Sequence, residues 1–439
     1  MRTEKDSLGE MSLPDDALYG INTARALDNF ALRGKRTDMG LVKAMVLIKK
    51  AAARTYRELR IGDDRLEAAI EEACDDILAG NHEEAFRLSA YQGGAGTSTN
   101  MCVNEVIANL ALKRLGYEPG RYDVIHPLDH VNRGQSTNDV YPTALRIAAI
   151  SGVRKLSEEC AALQESLQEK ENEWAGVDKL GRTELMDAVP ITLGEEFGAY
   201  AQGIARDRWR IYKVEERLRQ VNIGGTAVGL SGGADRRYKV MVLEELRRLT
   251  GFGLAAAEYP MDITQNNDVF VEVSGLLKAL AVNLIKIAND LRLMNSGPHG
   301  GIGEIKLKPV QQGSTIMAGK VNPVIPEMVI QCAMRAVGND SVITMAAAHG
   351  EFELNAFLPL IADSLLESLI LLTDAVGIFR EKCIIPMKAC EDRCRANLEV
   401  SAAFAASYVP AVGYDRVSEI VKDHTPAEAL GILKSLDGD

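Results

Sequence analysis

Val269-Phe270-Val271-Glu272-Val273-Ser274-Gly275-Leu276-Leu277-Lys278-Ala279-Leu280-Ala281-Val282-Asn283-Leu284-Ile285-Lys286-Ile287-Ala288-Asn289-Asp290-Leu291 lies between Pro260 and Pro298, with no proline inside it. Val269, Val273, Leu276, Leu280, Leu284, Ile287 and Leu291 recur at spacings of three and four, the period of one face of an α-helix. Leu277, Ala281 and Ala288 widen that stripe. The spacing predicts a helix roughly 45–50 Å long at about 1.5 Å per residue. Much of its circumference is apolar, so it needs partners on several sides. A single subunit does not readily supply them all, and oligomerisation is the natural remedy.

The same periodicity recurs from Leu41 to Arg60, Tyr141 to Trp174, Leu193 to Val221, Glu327 to Ala348 and Pro359 to Glu381. Glu165 to Glu173 is charge-rich and reads as a solvated face or a helix end. The sequence carries no convincing period-2 strand series, no short repeat and no low-complexity tract. Aromatic residues are few, while Ala, Leu and Glu are plentiful. The expectation is an all-α fold, a bundle of long helices with smaller helical caps. At 439 residues the chain has room for a large core or several domains.

A net charge of −12 argues against a general nucleic-acid binder. It leaves room for an anionic substrate, because a few local cations dominate one pocket. The start, Met1-Arg2-Thr3-Glu4-Lys5-Asp6, lacks the basic-then-apolar plan of a signal peptide. No apolar run is long enough to cross a bilayer. The seven cysteines include no CxxC pair, and no His or Cys cluster completes a metal site. They read as free thiols of a reducing cytoplasm.

Glycine clusters punctuate the helical pattern. Gly313-Ser314-Thr315-Ile316-Met317-Ala318-Gly319-Lys320-Val321-Asn322-Pro323 combines a flexible backbone, a hydroxyl, a cation and an amide. Together they suit a small anion that must be held and deprotonated, with Ser314 as the group that moves the proton. The plain alternative is a Ser/Thr cap at the end of a loop. Thr97-Ser98-Thr99-Asn100 and Gln135-Ser136-Thr137-Asn138-Asp139 each precede an apolar helix pattern. Exposed N–H groups and the positive dipole end attract carboxylates at such points. Arg182-Thr183-Glu184 is a fourth polar cluster. Taken singly each reads as a cap; taken together on long helices they suit convergence on one anion pocket. None is a nucleotide loop, since no GxGxxG follows a strand and Lys320 is followed by Val321.

These segments resemble the aspartase/fumarase superfamily. The Ser314 loop looks like its signature loop, Gly94 to Met101 like its first conserved region, and His126-Pro127 through Asn138-Asp139 like its substrate-binding stretch. The resemblance runs from Leu18-Tyr19-Gly20 to about Asn397. Thr264-Gln265-Asn266, Ile287 to Met294 and Val321 to Glu327 place it nearest the aspartate ammonia-lyase branch. It implies three domains, at 1–133, 134–382 and a shortened 383–439, the long-helix domain forming a 20-helix bundle in a homotetramer. Each site is then shared between three subunits. The implied reaction is reversible anti elimination of ammonia from L-aspartate to give fumarate, with no metal or organic cofactor. By resemblance Ser314 is the base; Thr97, Ser136, Thr137 and Thr315 donate to the β-carboxylate. Lys320 and Asn322 hold the α-carboxylate and Asn138 lies near the amino group. Thr183 and Glu184 join the substrate-binding set, with Glu327 behind them.

Glu184 is the main departure, since relatives commonly place His or Gln there. A pair with Glu327 would set two carboxylates together, which needs a shared proton or a cation between them. Either Glu184 faces the substrate ammonium, or it pairs with a nearby arginine such as Arg182. Ala318 stands where proline is usual, His299 where relatives often carry Arg, and Leu230-Ser231-Gly232-Gly233 replaces the usual wording after Gly229. A lyase expelling another amine is therefore the nearest rival. Fumarate hydratase and a non-catalytic scaffold rank below it.

Overall fold

A computed structural model describes residues 1–437. Helices dominate it, and the all-α expectation holds. The longest run Met39–Leu59, Thr97–Arg114, Thr137–Glu173, Leu193–Leu218, Asp268–Met294, Val324–Ala348 and Leu358–Phe379. Strands are confined to two-stranded pieces among the described residues. Among those residues no helix is long and apolar enough to cross a membrane.

The chain divides into two compact units. The first comprises Met1–Lys155, Ile211–Lys278 and Ala336–Ile370. The second comprises Leu156–Arg210, Ala279–Arg335 and the chain from Leu371 onward. In the first, Thr97–Arg114 is buried on every face from Thr99 to Leu112. That is the signature of a helix at the centre of a core. Leu41, Met45 and Ile48 of Met39–Leu59 belong to the same core. In the second unit, Trp174 meets Phe197 edge-on, ring centroids 4.8 Å apart. Ala405, Val417, Ile420, Ala429 and Leu433 form a separate small core near the C-terminus.

The Asp268–Met294 helix buries Phe270, Val273, Leu277, Leu280, Ala281, Leu284, Ile287, Ala288 and Leu291. Its face is thus centred slightly off the predicted one, with Val269 and Leu276 only half-buried. Val282 on the opposite side stays 54% exposed.

The predicted Tyr141 start of one helix falls four residues late, because the observed helix begins at Thr137 and runs through Pro142. Proline has no N–H, so the carbonyl four residues earlier loses its helical partner. That carbonyl belongs to Asn138, and the buried Asn222 amide donates to it at 3.0 Å. Asn222 also donates to Thr264 Oγ1 at 2.8 Å and accepts from Thr143 Oγ1 at 3.3 Å.

The hairpin Asp178–Thr183/Met186–Thr192 was not legible as strand. Thr183 pairs with Met186, which leaves Glu184 and Leu185 as a two-residue turn. Both adopt positive φ, 53° and 66°. A turn of that hand normally takes Asn-Gly or Gly-Gly. Two side-chain-bearing residues there hold local strain of about 1 kcal/mol or more each.

Candidate active site

In the first unit, two helix N-termini carry the candidate hydroxyls. Thr97 opens its helix after Gly94, Ala95 and Gly96, three successive residues with positive φ. Gly96 is required: a Cβ there would lie 2.0 Å from the Tyr141 ring. Thr97 is exposed. Ser136 caps the Thr137–Glu173 helix. Its Oγ accepts the Asn138 N–H at 3.2 Å, and its own N–H donates to Asp139 Oδ1 at 2.9 Å. This reciprocal capping box is the local reason the helix starts where it does. The two N-termini are tied by Asn100 Nδ2, which donates to Thr137 Oγ1 at 3.1 Å. Thr137 Oγ1 therefore spends a lone pair on Asn100, and its own O–H is left to donate. Asn138 Nδ2 donates to the Ala227 carbonyl at 2.8 Å, so the Gly224–Gly233 loop orients it.

Two buried charges accompany these residues: Asp139, from the polar cluster read in the sequence, and Lys49, which the sequence did not flag. Asp139 is fully buried and accepts backbone N–H bonds from Ser136, Gly224 and Thr226. Burial pushes its pKa up to about 6, against the pull of those donors and Lys49. Lys49, also fully buried, donates to Asn132 Oδ1 and Gln135 Oε1, each at 2.9 Å. Burial pushes it down to about 7, with Asp139 opposing.

The second unit carries the rest. Ser314 Oγ accepts the N–H groups of Ile316 at 3.1 Å and Met317 at 2.8 Å. Hydrogen bonds donated to an oxygen favour its negative form, so this geometry lowers the cost of an alkoxide. The loop is pinned at its neck. Gly313 N–H donates to the Lys320 carbonyl at 3.0 Å, and Asn322 Nδ2 donates to the Gly313 carbonyl at 2.8 Å. A Cβ on Gly313 would sit 2.3 Å from that Lys320 oxygen. Thr315 and Lys320 are exposed, and Lys320 makes no ion pair among the described residues.

Thr183 and Glu184 stand exposed at the hairpin tip. Arg182 is not the partner of Glu184. Its guanidinium goes to buried Glu304 at 2.9 Å, which Lys179 also meets at 3.0 Å and Asn397 at 3.1 Å. Burial disfavours ionised Glu304, but Arg182, Lys179 and Asn397 outweigh it and hold its carboxyl below the usual range. Glu327 lies in the first turn of Val324–Ala348 and faces Arg292 at 3.9 Å. Glu184 has neither a hydrogen bond nor an ion pair among the described residues.

Thus the first unit brings together Ser136, Thr137, Asn138 and, through Asn100, the helix that Thr97 opens. The second holds Thr183, Glu184, Ser314, Thr315, Lys320, Asn322 and Glu327. Hydroxyl donors on helix N-termini in the first unit, and a Ser-Lys-Asn loop in the second, are each the kind of equipment that handles carboxylates.

Comparison with known proteins gives this equipment its context. A family profile described as lyase matches residues 9–338. An aspartate ammonia-lyase of Bacillus sp is 44% identical over 96% of this chain and 90% of its own length. Another, from Pseudomonas fluorescens, is 45% identical over 96% of this chain and 89% of its own. Among solved structures, the cobalt-bound fumarate lyase:delta crystallin of Brucella melitensis has a TM-score of 0.94 at 44% identity, covering 100% of this chain and 98% of that one. A class II fumarase of Schistosoma mansoni has a TM-score of 0.94 at 30% identity, covering 99% and 95%. The chain belongs to the lyase family, within the aspartase/fumarase superfamily.

Proposed function

We propose that this chain is an aspartate ammonia-lyase, a carbon–nitrogen lyase that eliminates ammonia reversibly from L-aspartate to give fumarate. The observation that carries the chemistry is Ser314 Oγ receiving two backbone N–H groups. Ser314 takes the Cβ proton as its alkoxide. The electron pair left behind moves into the neighbouring β-carboxylate, giving an aci-carboxylate dianion before the C–N bond breaks. Catalysis then depends on donors that bind the dianion better than the ground state. Thr97, Ser136, Thr137 and Thr315 fill that role. Lys320 and Asn322 hold the α-carboxylate, and Thr183 and Asn138 complete the surround.

The same reading assigns a homotetramer whose sites draw segments from three subunits. Exposed apolar side chains on the long helices support it: Val282, Met334, Met345 and Ile370. The domain divisions after residues 133 and 382 belong to that reading, as does a cytoplasmic location, which the seven free thiols support.

Glu184 favours a second reading, a sister lyase that expels a different amine. Its carboxylate sits unpaired on a strained turn, ready for a cationic group. Ultraviolet absorbance separates the readings. Fumarate formed from L-aspartate and not from malate supports the proposal. Fumarate from malate alone indicates a hydratase. Product only from an N-substituted amino acid moves the assignment to the sister lyase.

A further inference from the structure

Lys49 is a buried lysine with no buried counter-ion in contact. Its ammonium is held by two neutral amide oxygens, Asn132 Oδ1 and Gln135 Oε1, and it forms no ion pair among the described residues. An ion placed this way is costly to bury. Asp139 is the charge that opposes its burial most strongly, but its oxygens are occupied by three backbone N–H groups.

The amide oxygens that hold Lys49 lead directly to the candidate site. Asn132 Oδ1 accepts not only from Lys49 but also from Asn100 Nδ2 at 3.2 Å and Asn104 Nδ2 at 3.1 Å. Asn100 Nδ2 in turn donates to Thr137 Oγ1. Three donors on one oxygen fix the orientation of the Asn132 amide, whose Nδ2 closes onto the Gln135 carbonyl at 3.2 Å. Gln135 Nε2 bonds the Val131 carbonyl at 3.1 Å, so both ends of the turn before Ser136 are tied to the lysine. Asn100 Oδ1 and Asn104 Oδ1 are buried without a partner. The hydrogens of these two amides are spent inside the network, Asn100 on Asn132 and Thr137 and Asn104 on Asn132 and Met101 Sδ, which fixes how each is turned.

We infer that Lys49 is a positioning residue for the elimination: it sets the Asn132–Asn100–Thr137 chain so that the Thr137 hydroxyl donates to substrate, and it places an ammonium held by neutral amide oxygens, not by an ion pair, behind the oxygens that become a dianion. The inference rests on the reading of the reaction given above. It accounts for a lysine at a buried position where a methionine would pack at lower cost. The charge matters most where the negative charge of the substrate grows, so it acts on the transition state more than on the bound ground state. A bound carboxylate also favours the charged form of the lysine.

Two variants test this with the full-length protein and L-aspartate. Lys49→Met removes both charge and donors. Asn132→Asp keeps an oxygen for all three donors but cancels the charge. Both are checked for folding by circular dichroism and for assembly by size-exclusion chromatography. The expected result is a fall in kcat of about 10- to 100-fold in each, short of the loss for a direct oxyanion donor, with KM changed less. If Lys49→Met does not fold, Asn132→Asp alone decides. Folded Asn132→Asp with kcat within about threefold of the parent overturns the inference, whatever Lys49→Met does. A parent that gives no fumarate removes the reading of the reaction, and the inference with it. An active parent with active variants removes only the inference.

Discussion

Asn222→Ala should destabilise the protein, and part of that cost should vanish when Pro142 is also replaced. Asn222, itself buried, makes three hydrogen bonds, to the Asn138 carbonyl, Thr264 and Thr143. At about 1 kcal/mol net each, Asn222→Ala costs about 3 kcal/mol. One of those bonds exists because Pro142 has no N–H to offer Asn138. In the Pro142→Ala background the new N–H reaches that carbonyl in ordinary helical geometry. Asn222→Ala should then cost only about 2 kcal/mol, a coupling of about 1 kcal/mol. Equilibrium urea unfolding of the parent, both single variants and the double variant, at one protein concentration, measures it. Equal costs in the two backgrounds, within about 0.3 kcal/mol, would refute the claim that Asn222 substitutes for the missing helical donor.

Gly96→Ala should destabilise by about 3 kcal/mol or more and abolish activity, because the new methyl meets the buried Tyr141 ring and φ is 91°. A melting temperature equal to the parent's would contradict this. Arg182→Met should cost about 2 kcal/mol at neutral pH by removing a charge-assisted bond to buried Glu304. The sign follows from the lowered Glu304 pKa: that stabilisation is present above the ordinary glutamate value and lost as pH falls through the depressed one. The gap between parent and variant should therefore shrink on acidification, and a constant gap in pH-resolved melts would contradict the assignment.

The long helices were legible because their apolar residues repeat every three or four positions with no proline to interrupt them. The Asp268–Met294 stripe came out a fraction of a turn off, since Val269 and Phe270 are both apolar and only packing chooses between them. The early start at Thr137 was hidden by Pro142, which ordinarily ends a helix; its compensation comes from Asn222, 80 residues on. The 178–192 hairpin was hidden because its turn is Glu-Leu, which carries none of the glycine or asparagine that marks such turns. The Ser314 loop could be read from its glycines and polar residues. Lys49 could not, because a lysine in an alanine-rich helix reads as a solvated face. Only the fold shows it reaching inward to Asn132 and Gln135.

The proposed elimination turns on the Ser314 oxygen taking a proton from carbon. Its most direct measurement is fumarate release from L-aspartate by parent and Ser314→Ala, with folding and assembly verified for both. Ser314→Ala should lower kcat by about 1,000-fold or more with substrate still bound, as expected when a reacting group itself is removed. A folded Ser314→Ala protein that releases fumarate at the parent rate would contradict it.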